Sequence, residues 1–245
     1  MSAAPPTSDE ATSPLLGVVG GMGPLTSAEF LRTFYARYPG RREQELPRCV
    51  LLSDPTFPDR TEAFKAGGGP EEELLRRLQA ALEQLASLGA ARLMIACVTI
   101  HYLVPALPAG LREQLISLID VAVEDALAAP GQYLLLCTTG TRELGLFSGH
   151  PRWPELAPRV KYLPPEAQAE LHRRIYQLKA NLNQTATASW VEDQARRQGA
   201  EAVILGCTDL HLLHSHLGAA RLPVLDPLER VAAGWPQRWL PGAGG

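Results

Sequence analysis

Two stretches of this chain repeat one plan 110 residues apart. Residues 89–101 read GAARLMIACVTIH and residues 199–211 read GAEAVILGCTDLH, with Gly89/Gly199, Ala90/Ala200, Cys97/Cys207 and His101/His211 identical. Four identities in thirteen positions are few, and the shared architecture says more. Each copy has a glycine suited to stopping a helix, a short buried strand, a cysteine at the strand's C-terminal end, and then a helix. A long period with only two copies implies two similar lobes, not a solenoid. Two such lobes bring equivalent strand ends to face each other across a cleft, where open α/β sheets bind ligands.

The rest of the chain fits that plan. Short apolar runs at Leu15–Val19, Arg48–Ser53, Leu93–Ala96, Tyr133–Cys137, Val160–Tyr162, Ala202–Leu205 and Leu222–Leu225 alternate with helical patterns. The clearest helix starts at Pro70, with Leu74, Leu75, Leu78, Leu82, Leu85 and Leu88 on one stripe and Gly89 as its stop. Apolar runs without internal alternation, separated by helices, indicate parallel strands buried on both faces. The expected fold is α/β: two pseudo-symmetric parallel-sheet lobes with the active site between them. The expected division is a loose N-terminal tail over 1–14, a first lobe over 15–117 rejoined by 224–245, and a second lobe over 118–223.

Composition narrows the function classes. The chain carries 23 basic and 26 acidic residues, a net charge of −3 with neither sign in blocks. That disfavours a nucleic-acid footprint and a polybasic membrane patch. No apolar run reaches the roughly 18 residues of a membrane span, and the first fourteen residues lack the basic start and apolar stretch of a signal peptide. Four cysteines without a secretory signal do not suggest a disulfide framework. A cytoplasmic protein with free thiols is expected.

Cys97 and Cys207 carry the chemistry. A cysteine between a strand end and a helix start sits near backbone N–H groups and the positive end of a helix dipole, which favour thiolate. Two of them across a small cleft suit stereochemical inversion, in which one takes a proton from one face of a carbon while the other delivers a proton to the opposite face. Cys49 and Cys137, inside or at the end of apolar runs, read as space-filling residues.

The motifs Gly20-Gly21-Met22-Gly23-Pro24, Asp54-Pro55 with Pro58-Asp59-Arg60-Thr61, Cys97-x-Thr99-x-His101, Thr138-Thr139-Gly140-Thr141 and Leu205-Gly206-Cys207-Thr208 occur in the order seen in aspartate racemases. From about Leu15 to Ala233 the sequence resembles these members of the pyridoxal-phosphate-independent aspartate/glutamate racemase superfamily. The resemblance implies two α/β domains, a homodimer, no cofactor, and a small carboxylate or amino acid as substrate. It implies Cys97 and Cys207 as the acid–base pair, and Arg60 with Lys179 at the substrate's distal carboxylate. Thr99, Thr139 and Thr208 match positions at its α-carboxylate, and Met22 lies in the glycine turn that brings backbone toward a small acid. His101, Asp209 and His211 are expected to support these groups from behind.

The chain departs from the family's pattern at three places. Val98 stands where an asparagine is usual, a bulky residue expected at the mouth of the site that can neither donate nor accept a hydrogen bond. Asp54 stands where asparagine is common, and Asp209 is a shorter version of a common glutamate. These changes keep open a divergent thiol-dependent isomerase, decarboxylase or other carbanion enzyme on the same frame. A zinc site from Cys97, His101, Cys207 and His211 is not expected, because each histidine falls a turn beyond its cysteine. His211, His214 and His216 read as a polar helix flank. The glycine turn does not complete Gly-x-Gly-x-x-Gly, since Thr26 holds the last position, so a nucleotide-binding oxidoreductase is disfavoured. A catalytically idle binding protein would need neither thiol.

Overall fold

A computed structural model describes residues 13–219 and 222–240. The expected tail therefore lies outside the described residues up to position 12. The first half runs β1 (Leu15–Gly20), α1 (Pro24–Ala36), β2 (Arg48–Ser53), α2 (Arg60–Ala66), α3 (Gly68–Ser87), β3 (Ala90–Ile95), a 3-10 turn (Thr99–Ala106), α4 (Ala109–Gln114) and β4 (Leu115–Ile116). It continues with α5 (Leu118–Ala128), β5 (Tyr133–Leu136), α6 (Thr139–Glu143), α7 (Trp153–Leu156), β6 (Val160–Tyr162), α8 (Pro165–Lys179) and α9 (Gln184–Arg197). Then come β7 (Ala202–Leu205), a 3-10 turn (Thr208–Leu213), α10 (His214–Ala219), β8 (Val224–Leu225) and α11 (Pro227–Gly234).

The strands form two four-stranded sheets, ordered β2-β1-β3-β4 and β6-β5-β7-β8, with every neighbouring pair parallel. The two orders are the same when each half is counted from its own first strand, so β3 and β7 hold equivalent places. Both central strands of each sheet are covered on both faces, which explains why β1, β5 and β7 are buried at every position. In α3 the buried stripe is Leu74, Leu78, Ala81, Leu82 and Leu85, while Leu88 caps the helix and is exposed.

Helices cross between the lobes. After β4, the first sheet's edge strand, α5 packs against β7, β8 and α7 of the second lobe. After β8, α11 returns to pack on α1 of the first. Val224 and Leu225, which the expected division gave to the first lobe, instead pair with Val203 and Ile204 as the second sheet's edge. The return to the first lobe begins only at Asp226, which caps α11 through the N–H groups of Leu228 and Glu229. One large hydrophobic core, including Phe30, Met94, Val98, Tyr133, Leu228 and Trp235, runs through both lobes. Among the described residues no helix is long and apolar enough to cross a membrane.

Candidate active site

Cys97 and Cys207 each lie two residues beyond their strand, after Ile95 of β3 and Leu205 of β7. Equivalent strands in similarly ordered sheets thus deliver both thiols to one cleft of about 290 Å³, its open mouth included. Of the other expected residues, Met22, Arg60, Thr99, Lys179, Thr208 and Asp209 line the same cleft. Asp59, Thr61, Val98, Thr138 and Tyr176 complete it.

The glycine turn after β1 builds one wall. Gly21 has φ +91°, and a Cβ there would lie 2.3 Å from the backbone of Asp54, so the turn admits only glycine. Its amide donates to Ser27 Oγ at 2.9 Å, which occupies a donor otherwise free for an anion. At Gly23 the approach is to the other lobe: a Cβ would lie 2.2 Å from Asp209 Oδ1. That gap lets Thr26 Oγ1 donate to the same carboxylate oxygen at 2.9 Å.

Asp209 is 2% exposed and connects the second thiol to a cation. Cys207 Sγ donates to its Oδ2 at 3.8 Å, and Lys179 Nζ lies 3.8 Å from the same oxygen. Burial raises the Asp209 carboxyl above the usual carboxylate range, against the opposing pull of Lys179 and Thr26. Cys207 is pushed well above an ordinary thiol, first by burial and then by the neighbouring Asp209 charge, with Lys179 opposing. The second cysteine is therefore held as a thiol.

Arg60 opens α2 and is buried against the first thiol. Its Nη2 donates to Met22 O at 2.9 Å and Nη1 to Pro58 O at 3.1 Å, which fixes the plane of the guanidinium. Burial alone would lower its pKa; the neighbouring Cys97, Asp59 and Asp209 more than offset that, and the net direction is up. Asp59 caps α2 by accepting from the amides of Thr61 and Glu62, and its Oδ2 accepts from Tyr176 Oη at 2.7 Å. Lys179 then sits over the Tyr176 ring, 4.6 Å from its centroid. Two cations and two carboxylates thus face each other across the cleft.

The threonines divide differently from expectation. Thr138, not Thr139, lines the cleft; it caps α6 and shares hydrogen bonds with Thr99 at 3.0 Å and Thr141 at 2.9 Å. Thr99 also meets Thr141 at 2.9 Å, so three buried hydroxyls join the two lobes. Thr139 faces a separate depression with Arg142 and Gln168, where its amide donates to His172 Nδ1 at 3.3 Å. Thr208 lines the cleft, yet its hydroxyl is engaged with Ala96 O at 3.1 Å and ties the ends of the two sheets together. Val98 borders the cleft but is only 1% exposed and packs into the shared core, so it does not stand at the mouth.

The two repeated histidines lie behind the site and serve different ends. His101 Nδ1 donates to Cys97 O at 2.8 Å and Val98 O at 3.1 Å, while Nε2 accepts from Leu118 N at 3.4 Å. That partner set requires the neutral Nδ1–H tautomer, and burial, the largest influence, holds the ring's pKa below its ordinary value. The unfolded chain takes up that proton near pH ~6.5, so the folded protein should lose stability as the pH falls below this value. His101→Ala leaves the Cys97 carbonyl and the Leu118 amide unpaired, at about 1–3 kcal/mol each, while Val98 O keeps the backbone N–H of residue 101. Urea unfolding between pH 5 and 8 should show a destabilised variant whose midpoint no longer carries this acid-side decline. His211, by contrast, bonds Asp226 Oδ2 at 2.6 Å through Nδ1 and Thr33 Oγ1 at 3.1 Å through Nε2.

Cys49 and Cys137 behave as filler: burial pushes both thiols up to about 12. Asp59 and Tyr176 were not singled out from sequence, although Asp59-Arg60-Thr61-Glu62 has the Asp-x-x-Glu spacing of a helix start.

The fold also occurs in known proteins. An aspartate racemase from Picrophilus torridus matches with a TM-score of 0.76 at 24% identity, over 90% of this chain and 91% of that one. An aspartate racemase homologue from Pyrococcus horikoshii matches with a TM-score of 0.65 at 22% identity, over 89% and 95%. An allantoin racemase from Klebsiella pneumoniae matches with a TM-score of 0.51 at 18% identity, over 90% and 85%. These likenesses establish a shared fold. The family model described as Asp/Glu/Hydantoin racemase matches residues 19–233, and the chain belongs to that family of racemases.

Proposed function

We propose that this chain inverts the α-carbon of an acidic or related amino acid by a two-cysteine exchange that needs no cofactor. The observation that carries this reading is the pair of thiols, delivered by equivalent strands of two like sheets into one cleft with Arg60 and Lys179. Arg60 offers a planar fork to a carboxylate, and Lys179 adds a point charge. Thr99 and Thr138 line the cleft with hydroxyls suited to hold a second carboxylate and the charge that builds on it as the α-proton leaves.

Cys207 starts as the acid because Asp209 and burial keep its proton in place. Cys97, facing Arg60, therefore acts first as the base. Its thiolate takes the α-proton and becomes a thiol, and the electron pair left on carbon spreads into the adjacent carboxylate. Cys207 then gives its proton to the opposite face and becomes the thiolate. The reverse reaction exchanges the two roles. The similar structures include aspartate and allantoin racemases, which supports inversion next to a carbonyl, and the Arg60 fork at the cleft makes an acidic amino acid the leading substrate.

The reading is tested by incubation in D₂O with a panel of amino acids, following α-deuterium and enantiomer ratio. Deuterium uptake with inversion of an acidic member is the expected result. Loss of CO₂ or a new carbon skeleton would replace racemisation with the divergent carbanion chemistry, and silence across the panel would overturn both.

A further inference from the structure

Behind the catalytic cleft, an open depression of about 580 Å³ is lined by Glu29, Thr33, Arg37, His211, His214 and Glu229, among others. At its base Asp226 Oδ2 lies 2.6 Å from His211 Nδ1 and 3.1 Å from His214 Nδ1. One candidate ligand atom from each of these three residues lies within 4.8 Å of the others. Donors around a tetrahedral zinc ion, each about 2.0–2.2 Å from the metal, sit about 3.3–3.6 Å apart, so the His211–Asp226 contact would open by about 1 Å as its proton gives way to the metal. We propose that His211, His214 and Asp226 form a zinc-type cation site, distinct from the catalytic cleft, which clamps the turn after Cys207 to the start of α11.

The surroundings are those that a metal site needs. With a cation on Nδ1, the Nε2–H of His211 points at Thr33 Oγ1, 3.1 Å away. The second oxygen of Asp226 is already held by the amides of Leu228 at 3.0 Å and Glu229 at 3.4 Å. A ligating histidine that donates through its other nitrogen, and a ligating carboxylate that is itself hydrogen-bonded, are the outer arrangement that orients metal ligands. Two imidazoles and one carboxylate suit zinc over magnesium or calcium. The neighbouring carboxylates do not compete, because Glu29 pairs with Arg32 and Glu229 with Arg37. His214 is half-buried and faces the depression, which gives the ion an entry path and a water its fourth position. His216, two residues on, is not part of the cluster.

The proposal is independent of the catalytic reading and can be tested without activity. In a full-length chain carrying C97S and C207S, so that the cleft thiols cannot capture metal, chelator-treated protein would be titrated with Zn²⁺ by calorimetry and with Co²⁺ by visible absorption. Expected is one site per chain with Kd of about 10 μM or tighter, weakened about 100-fold or more by His214→Ala and unchanged by His216→Ala. His214 leaves the α11 cap intact, and far-UV circular dichroism would verify that the variant folds. Binding weaker than about 1 mM, equal binding in His214→Ala, or equal loss in His216→Ala would overturn the proposal.

Discussion

Cys97→Ser and Cys207→Ser are each expected to lower inversion by about 10³-fold or more, the upper part of the range for removing a positioned acid or base. A serine hydroxyl ionises far above a thiol and cannot take an α-proton at neutral pH. Yet each variant keeps one thiol on one face. Cys207→Ser should still wash deuterium into the enantiomer whose α-hydrogen faces Cys97, with retention, and should leave the other enantiomer untouched. Cys97→Ser should show the opposite preference. Mirror-image exchange follows from the proposal that the two thiols lining the cleft act on opposite faces of the carbon. NMR of the α-proton in D₂O with each pure enantiomer would read it directly. If both variants exchange the same enantiomer, or either keeps full inversion, the two-sided mechanism fails. Asp209 adds an asymmetry, since it sits on Cys207 alone. Its removal should make Cys207 easier to ionise, because its negative charge helps to keep that thiol protonated.

The repeat made much of this legible. Because Cys97 and Cys207 follow equivalent strands, the sequence offset carries over directly into geometry, and a local pattern sufficed to find both. The turn at Gly21 and the helix stop at Gly89 are readable because a positive φ is set locally, whereas the turn's close approaches to Asp54 and Asp209 are not local. What could not be read depends on partners far along the chain. Two adjacent threonines gave no sign which faces inward; Thr138 does, because it caps α6 and meets Thr99 from 39 residues away. Asp59 becomes part of the cleft only when Tyr176, 117 residues on, donates to it. Val98 reads as a residue at the mouth because it stands between Cys97 and Thr99, but its side chain turns into the core shared by both lobes. The placement of α11 on α1 is likewise non-local, and short β8 gave too few residues to show which sheet it joins.

That returning helix yields the largest expected effect on stability. Asp226 is buried, caps α11, and accepts from two histidines. Removing one partner of such a pair costs about 3–5 kcal/mol, and loss of the cap adds about 0.5–2. Against a total of about 5–15 kcal/mol, Asp226→Ala should be marginal or unfolded. Asp226→Asn keeps an acceptor for the cap and loses the charge, so it should sit between wild type and alanine. A pH signature separates the ion pair from mere packing. For Asp226, burial would raise the carboxyl, but His211 and His214 bring it well below its ordinary value. Its contribution is therefore present above the unfolded value near ~3.9 and is lost as the pH falls through the folded one. For His211, burial would lower the ring, but Asp226 raises it overall. That contribution is complete below the unfolded value near ~6.5 and is lost as the pH rises through the folded one. The cost of Asp226→Asn should hence be greatest between about pH 4 and 6.5 and shrink on both sides. Urea midpoints in the presence of chelator, at pH 3.5, 5.5 and 9, would measure it. A cost that is flat across that range would mean that Asp226 stabilises the return of α11 through shape and capping alone, without its charge.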